Sequence, residues 1–343
     1  ICEHNDEKMK QKFLKFVNER GKLHNPYTGS GAIFTGTVEA VSNDWNRSDI
    51  QVGDYVASLS TMTGIPVYIE EIEEVDYDCA QLKCRGYAIC FETSILQKCE
   101  DIPENRKKYL RRALDEEGSF YGISRLVEEM TVKKALIIGV SLIEVVLYAQ
   151  MLRNCAPNVS ISLLVETGCT CTSCMSENSL MKLLNPLVEH IYFDTMSNPI
   201  ETAKKIAGDS EENLMDVIVN LEDIKNCESV AALMIKQGGL ICHTNIDNNY
   251  SQAMLIVESL GKKDVTSYAL DSIYDNTYRT AVGLVRDAES FFAKLDEYFE
   301  KTNRKKKITM KSGDGHGETT TQQIDGFLYK SPVTADLVAD VLN

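Results

Sequence analysis

The 343-residue sequence contains no apolar run of the roughly twenty residues needed to span a bilayer; the longest, Ala135 to Val140, is short and interrupted by Gly139. Positive charge is in deficit, with 36 Lys and Arg against 51 Asp and Glu, a net −15 at pH 7. A surface of that sign repels phosphate backbones and acidic lipid, so nucleic acid and membranes are excluded as partners. The opening ICEHNDEKMKQKFLKF lacks both a signal-peptide core and an initiating methionine, and it starts inside an amphipathic helix. Residues upstream are therefore expected. Internal repeats are absent as well. Cysteine is plentiful, at eleven, but follows no regular framework, which in a chain of this size fits a reducing cytoplasm better than a disulfide scaffold.

What is present is a change of pattern along the chain. Lys8 to Arg20 reads as a helix with Met9, Phe13, Phe16 and Val17 on one face and Gly21 as its stop. A turn-rich HNPYTGSG follows, in which Gly29 and Gly31 are expected to allow positive φ. Short strands then run to Glu92, beginning with Ala32–Val41 and including VGDYVA. Between Asp101 and Val127 the pattern becomes helical and charged, and marks the passage between domains. Beyond it, strands at Ala135–Ile138, Ser160–Val165, His190–Phe193, Asp216–Asn220, Gly239–His243 and Val265–Leu270 alternate with helices at Leu142–Arg153, Asn178–Leu184, Pro199–Ala207, Glu228–Lys236 and Ser251–Val257. Such alternation implies a parallel sheet covered on both faces. A long amphipathic helix or helix pair occupies Asp275 to Lys301, and a last helix is expected from Ser331 and Pro332.

The stretch KKALIIGVSLIEVVLYAQM, Lys133 to Met151, has the strand, turn and helix of a dinucleotide-binding unit but only the first of its glycines. Val140, Ser141, Leu142, Ile143, Glu144 and Val145 follow Gly139. The expectation is that branched side chains fill the phosphate space, and that Glu144 brings negative charge to a helix start that otherwise attracts anions. Glu166, ending the second strand, stands where a ribose-binding carboxylate belongs and would favour NAD over NADP.

The pieces ERGKLHNPYTGSG, TGTV, VGDYVA, RALDEEG, KALIIG and GLVRDAESFFAKLDEYFEK together resemble the L-erythro-3,5-diaminohexanoate dehydrogenase family of the medium-chain dehydrogenase/reductase superfamily. The resemblance covers residues 1–301. It implies an α/β chain: a GroES-like, partly open β-barrel domain over 1–115, incomplete at its N-terminus; a Rossmann-like doubly wound parallel sheet over 116–270; and a helical segment, 271–303, returning to the first domain. No counterpart is expected for 304–343. It also implies a homodimer and NAD-linked oxidative deamination of a diamino acid in amino-acid fermentation, without catalytic zinc. Two departures stand out: VSLIEV after Gly139, and LEDIKNCE, with Glu222 and Asp223, where the family carries a Val-Pro-Gly type loop.

The remaining candidates are a substrate loop of His24, Asn25, Thr28 and Ser30 with Glu92 as a carboxylate for an amine, and the C-x-C-x-x-C of Cys169, Cys171 and Cys174. Three thiols so spaced suit zinc or an iron–sulfur cluster but lack a fourth ligand; a loop of uncommitted thiols is the other reading. The weight of the residues points to a pseudoenzyme: a diverged dehydrogenase with a degenerate NAD site and no assigned catalytic residue, acting as a homodimer or as a heteromer with an active relative. The alternatives are an active NAD-dependent diamino-acid dehydrogenase and a cysteine-loop metal protein.

Overall fold

The structure, a computed structural model, describes residues 6–24, 31–43, 45, 47–76, 79, 81–99, 102–115, 117–167, 177–222, 225–244, 250–269 and 277–311. These fall into two compact units, 6–117 with 277–285, and 118–269 with 286–311.

The first unit begins with α1 (Asp6–Arg20), whose Met9, Phe13 and Val17 repeat at helical spacing and are buried. They pack with Leu23, Ile65, Val67, Ile69 and Ile72 into one apolar cluster. Five strands make two antiparallel sheets: β1 (Phe34–Thr37), β2 (Tyr55–Ser58) and β5 (Leu96–Lys98) in one, and the hairpin β3 (Val67–Asp76) with β4 (Gln81–Ala88) in the other. The first strand is shorter than the expected Ala32–Val41. Gly31 is needed for space rather than for positive φ: a Cβ there would lie 2.6 Å from Thr63 N and 2.7 Å from Leu23 O.

Helix α2 (Lys107–Asp115) is tied to both sheets through Arg111. Its guanidinium donates to Gln81 Oε1 at 2.7 Å and to the Tyr55 hydroxyl at 3.3 Å, and that hydroxyl donates to Thr35 Oγ1 at 2.6 Å. The next residue, Arg112, is buried and holds Asp115 at 3.1 Å; burial pushes the Asp115 carboxyl up, and the Arg112 charge opposes it. Helix α9 (Thr277–Asp287) also belongs largely to this unit.

The second unit carries α3 (Glu117–Glu128) and then alternates without a break: β6 (Lys134–Ile138), α4 (Leu142–Cys155), β7 (Ser160–Glu166), α5 (Glu177–Leu184), β8 (His190–Asp194), α6 (Pro199–Ala207), β9 (Met215–Asn220), α7 (Cys227–Met234), β10 (Ile235–His243), α8 (Tyr250–Ser259) and β11 (Thr266–Ala269). The strands form one parallel sheet in the order β11-β10-β9-β6-β7-β8. This is the doubly wound Rossmann order, and it reverses between β6 and β9.

Period-two alternation accounts for burial on both faces. Leu136, Ile138, Ile218 and Ile241 pack with Val230, Ala231 and Met234 of α7 and Ala253 and Val257 of α8. The intervening Ala135, Ile137, Val217 and Val219 are fully buried on the other face. Each buried Val, Leu or Ile among them contributes about 1.5–3 kcal/mol of transfer free energy. At the amino ends, Asp216 accepts from the Lys133 and Lys134 amides at 2.8 and 2.9 Å, which locks β9 beside β6.

Pro199–Ala207 is a helix over the expected span, started by Asn198, whose side chain caps the Glu201 amide at 3.4 Å. By contrast, Ile235 and Lys236, read as the end of a helix, open β10, and the register with β9 shifts between Ile235 and Leu240. Lys262 Nζ donates to the carbonyls of Ala232, Leu233 and Ile235 at 2.8, 2.8 and 2.7 Å and so closes the end of α7. The long pattern after Asp275 resolves into α9 and α10 (Glu289–Lys311). The helix expected from Ser331 lies outside the described residues. No helix among the described residues is long and apolar enough to cross a membrane.

Candidate functional site

In a sheet of this order, ligands lie beyond the carboxyl ends of the strands where the order reverses, here above β6 and β9. Ile138, Asn220 and His243 share one register row across β6, β9 and β10. The turn after β6 is Gly139-Val140-Ser141. Gly139 donates its N–H to Leu164 O at 3.1 Å. Ser141 caps α4, its hydroxyl accepting from the Glu144 amide at 3.4 Å. Leu142, Ile143 and Glu144 are all buried.

Val140, which begins the branched run, is half-buried, and Val145 is buried as well. The segment after β9 lies against the turn. The Leu221 N–H donates to Ile138 O at 2.9 Å, and the Leu221 side chain lies against Gly139 so closely that a Cβ there would sit 2.9 Å from Leu221 Cδ1. Glu222 Oε1 accepts the Val140 N–H at 2.9 Å. An internal carboxylate thus occupies a backbone donor of the kind that cradles a phosphate at a helix start. Glu144, which was expected to supply that charge, lies at a helix position where a dinucleotide turn keeps its third glycine, and is buried there.

The segment is itself held on both sides. Asn220 Oδ1 accepts the Glu222 N–H at 3.3 Å, and Cys227 Sγ donates to the Glu222 carbonyl at 3.3 Å. Asn220 Nδ2 lies 3.4 Å from Cys227 Sγ and 3.3 Å from His243 Nδ1. With its oxygen on Glu222, the Asn220 amide presents its nitrogen to His243, so the neutral imidazole accepts at Nδ1 and carries its proton on Nε2. Burial lowers the His243 pKa and keeps the ring neutral. Asn220, Glu222, Cys227 and His243 are all under a tenth exposed.

The other expected positions are scattered. Glu166 ends β7, half-buried, with Asp194 of β8 as its register partner. His24 sits after α1 with Nδ1 3.2 Å from Arg20, and Glu92 is exposed in a turn. Asn25, Thr28, Ser30, Cys169, Cys171, Cys174 and Asp223 lie outside the described residues. Among the described residues, which do not include Cys169, Cys171 and Cys174, no group of His, Cys, Asp and Glu could hold a metal ion. Sequence reasoning flagged Glu222 but passed over Leu221, Asn220 and Cys227. The available signal is a polar Asn closing an apolar strand, followed at once by a large aliphatic and an acid.

Residues 1–100 match the family of the L-erythro-3,5-diaminohexanoate dehydrogenase N-terminal domain. The chain is 28% identical over 278 residues to L-erythro-3,5-diaminohexanoate dehydrogenase of Acetoanaerobium sticklandii, covering 80% of this chain and 75% of that protein. It is also 28% identical over 266 residues to the enzyme of the same name from Fusobacterium nucleatum, covering 77% and 73%. Over about four-fifths of its length the chain is thus similar to enzymes of that name. Among solved structures, an alcohol dehydrogenase from Thermotoga maritima aligns at 14% identity and a TM-score of 0.45, over 77% of this chain and 74% of that one. The diaminohexanoate dehydrogenase likeness and the strand order thus agree on a dehydrogenase-like chain. At the turn where a dinucleotide would be held, Leu221 lies against Gly139 and Glu222 accepts the Val140 N–H.

Proposed function

We propose that this dehydrogenase-like chain is a non-catalytic member of the diaminohexanoate dehydrogenase group, acting as a homodimer or beside an active relative in the cytoplasm. The observation that carries the reading is the Glu222 carboxylate on the Val140 N–H, with Leu221 seated on Gly139. A diphosphate approaching this turn meets a like charge, an aliphatic side chain and a backbone donor already engaged. Calorimetric titration with NAD and NADP tests it: the expected result is no heat of binding, and micromolar affinity for either would sink it.

A second reading, an active NAD-dependent oxidoreductase acting on 3,5-diaminohexanoate or a related diamino acid, is favoured by the names of the two relatives and by Glu166 at the end of the second strand. It requires NADH formation at 340 nm when that substrate and NAD are supplied. A flat trace at saturating concentrations removes it.

A further inference from the structure

We infer that Leu221 and Glu222 form an intramolecular latch over a latent dinucleotide crevice, and that Asn220 and Cys227 are the positioning residues that keep it shut. The inference rests on the closed-crevice reading and adds what holds the closure.

Four features support a latch rather than a merely filled site. The segment makes its contacts through separate groups: the Leu221 N–H on Ile138 O at 2.9 Å, the Leu221 side chain on Gly139, and the Glu222 carboxylate on the Val140 N–H at 2.9 Å. The Glu222 peptide is gripped at both polar atoms, its N–H by Asn220 Oδ1 and its carbonyl by the Cys227 thiol, each at 3.3 Å. The two gripping side chains are themselves joined, Asn220 Nδ2 to Cys227 Sγ at 3.4 Å. Beneath the segment the strand, Gly139 and the capped start of α4 retain the backbone of a dinucleotide turn, with the Ser141 hydroxyl on the Glu144 amide.

The geometry is thus that of an occupied anion site, in which a carboxylate from the same chain stands where a ligand's phosphate oxygen would stand. An occupant attached to the chain competes at high effective concentration, so an external dinucleotide must displace it before binding. Removing the occupant therefore restores affinity without any change to the turn itself.

The test compares four full-length proteins: the unaltered chain, Leu221→Ala/Glu222→Ala, Glu222→Gln, and Asn220→Ala/Cys227→Ala. Two readouts are taken on each, amide hydrogen exchange at Val140 and calorimetric titration with NAD, with thermal melting to establish folding. In Leu221→Ala/Glu222→Ala, Val140 exchange accelerates and NAD affinity rises at least tenfold over the unaltered chain. Faster exchange with unchanged affinity overturns the latch. Glu222→Gln keeps an acceptor for Val140 but loses the charge, so it stays closed and binds NAD no better; a tenfold gain in this variant alone would mean that charge repulsion, not occupancy, excludes the dinucleotide, and overturns the proposal. In Asn220→Ala/Cys227→Ala, Val140 exchange accelerates although neither residue touches Val140; unaltered exchange there removes the positioning role. Micromolar NAD binding by the unaltered chain would instead defeat the closed-crevice reading itself, a separate outcome.

Discussion

The two units of this chain differ in where their order comes from. In the first, short antiparallel strands and α1 share a modest apolar cluster, and much of the rest is specified by polar ties such as Arg111 to Gln81 and Tyr55. In the second, the inner strands β6, β7, β9 and β10 of a six-stranded parallel sheet bury their aliphatic residues, and the helices packed on them turn small or aliphatic side chains inward. Residues 1–100 nevertheless carry the family match, while the more regular unit carries the altered turn. Strand order in such a scaffold is set by many interchangeable aliphatics, and the lining of a crevice by a few residues in connecting loops.

Four substitutions sharpen or break that contrast. The largest effect is expected in the parallel sheet: Ile137→Ala removes a fully buried branched chain from a close-packed centre and lowers stability by about 2–5 kcal/mol in denaturant unfolding. A loss well under 1 kcal/mol would contradict the idea that this sheet is the stability centre. In the first unit, Gly31→Ala drives a Cβ to within 2.7 Å of two backbone atoms, Thr63 N and Leu23 O, and should cost about 1–3 kcal/mol; a neutral result would show that this backbone gives way freely.

Next comes pH. His243 has its pKa lowered by burial from 6.5, so the folded state favours the neutral ring and the unfolded chain takes up a proton first as pH falls. The stability it supports is complete above the unfolded value and is lost as pH drops through that value toward the lower folded one, with a slope of at most about 1.4 kcal/mol per pH unit. Comparing unfolding of the unaltered chain and His243→Gln between neutral and mildly acidic pH checks this, and an identical pH slope would count against it. The smallest effect belongs to the surface. Lys15 and Glu19 on α1 pair at 3.8 Å with most of both side chains in water, and Lys15→Ala should move stability by no more than about 0.5 kcal/mol. A larger change would mean that α1 depends on charge as much as on Phe13 and Val17.

The same contrast governs what could be read from the residues alone. Apolar alternation located all six parallel strands because Val, Ile and Leu runs bounded by loops leave few other arrangements, and Asn198-Pro199 marked the start of α6 by its own chemistry. Ile235 and Lys236 were misread because helix α7 passes into β10 without a linker, so no punctuation separates one period from the other. The loss of the glycines after Gly139 is legible in the sequence, but the contacts that Leu221 and Glu222 make with the turn are not. Periodicity can place Leu142 and Ile143 on a helix, yet it does not say that Leu221, far along the chain, lies against Gly139. That adjacency exists only once β9 has paired with β6.

This pairing has a temporal meaning. Val140 and Glu222 are separated by 82 positions, so during synthesis β6, β7 and β8 emerge and can assemble well before the residues that cover the turn exist. A growing chain on the ribosome therefore passes through an interval in which the Val140 N–H has yet to meet the carboxylate that accepts from it in the finished protein.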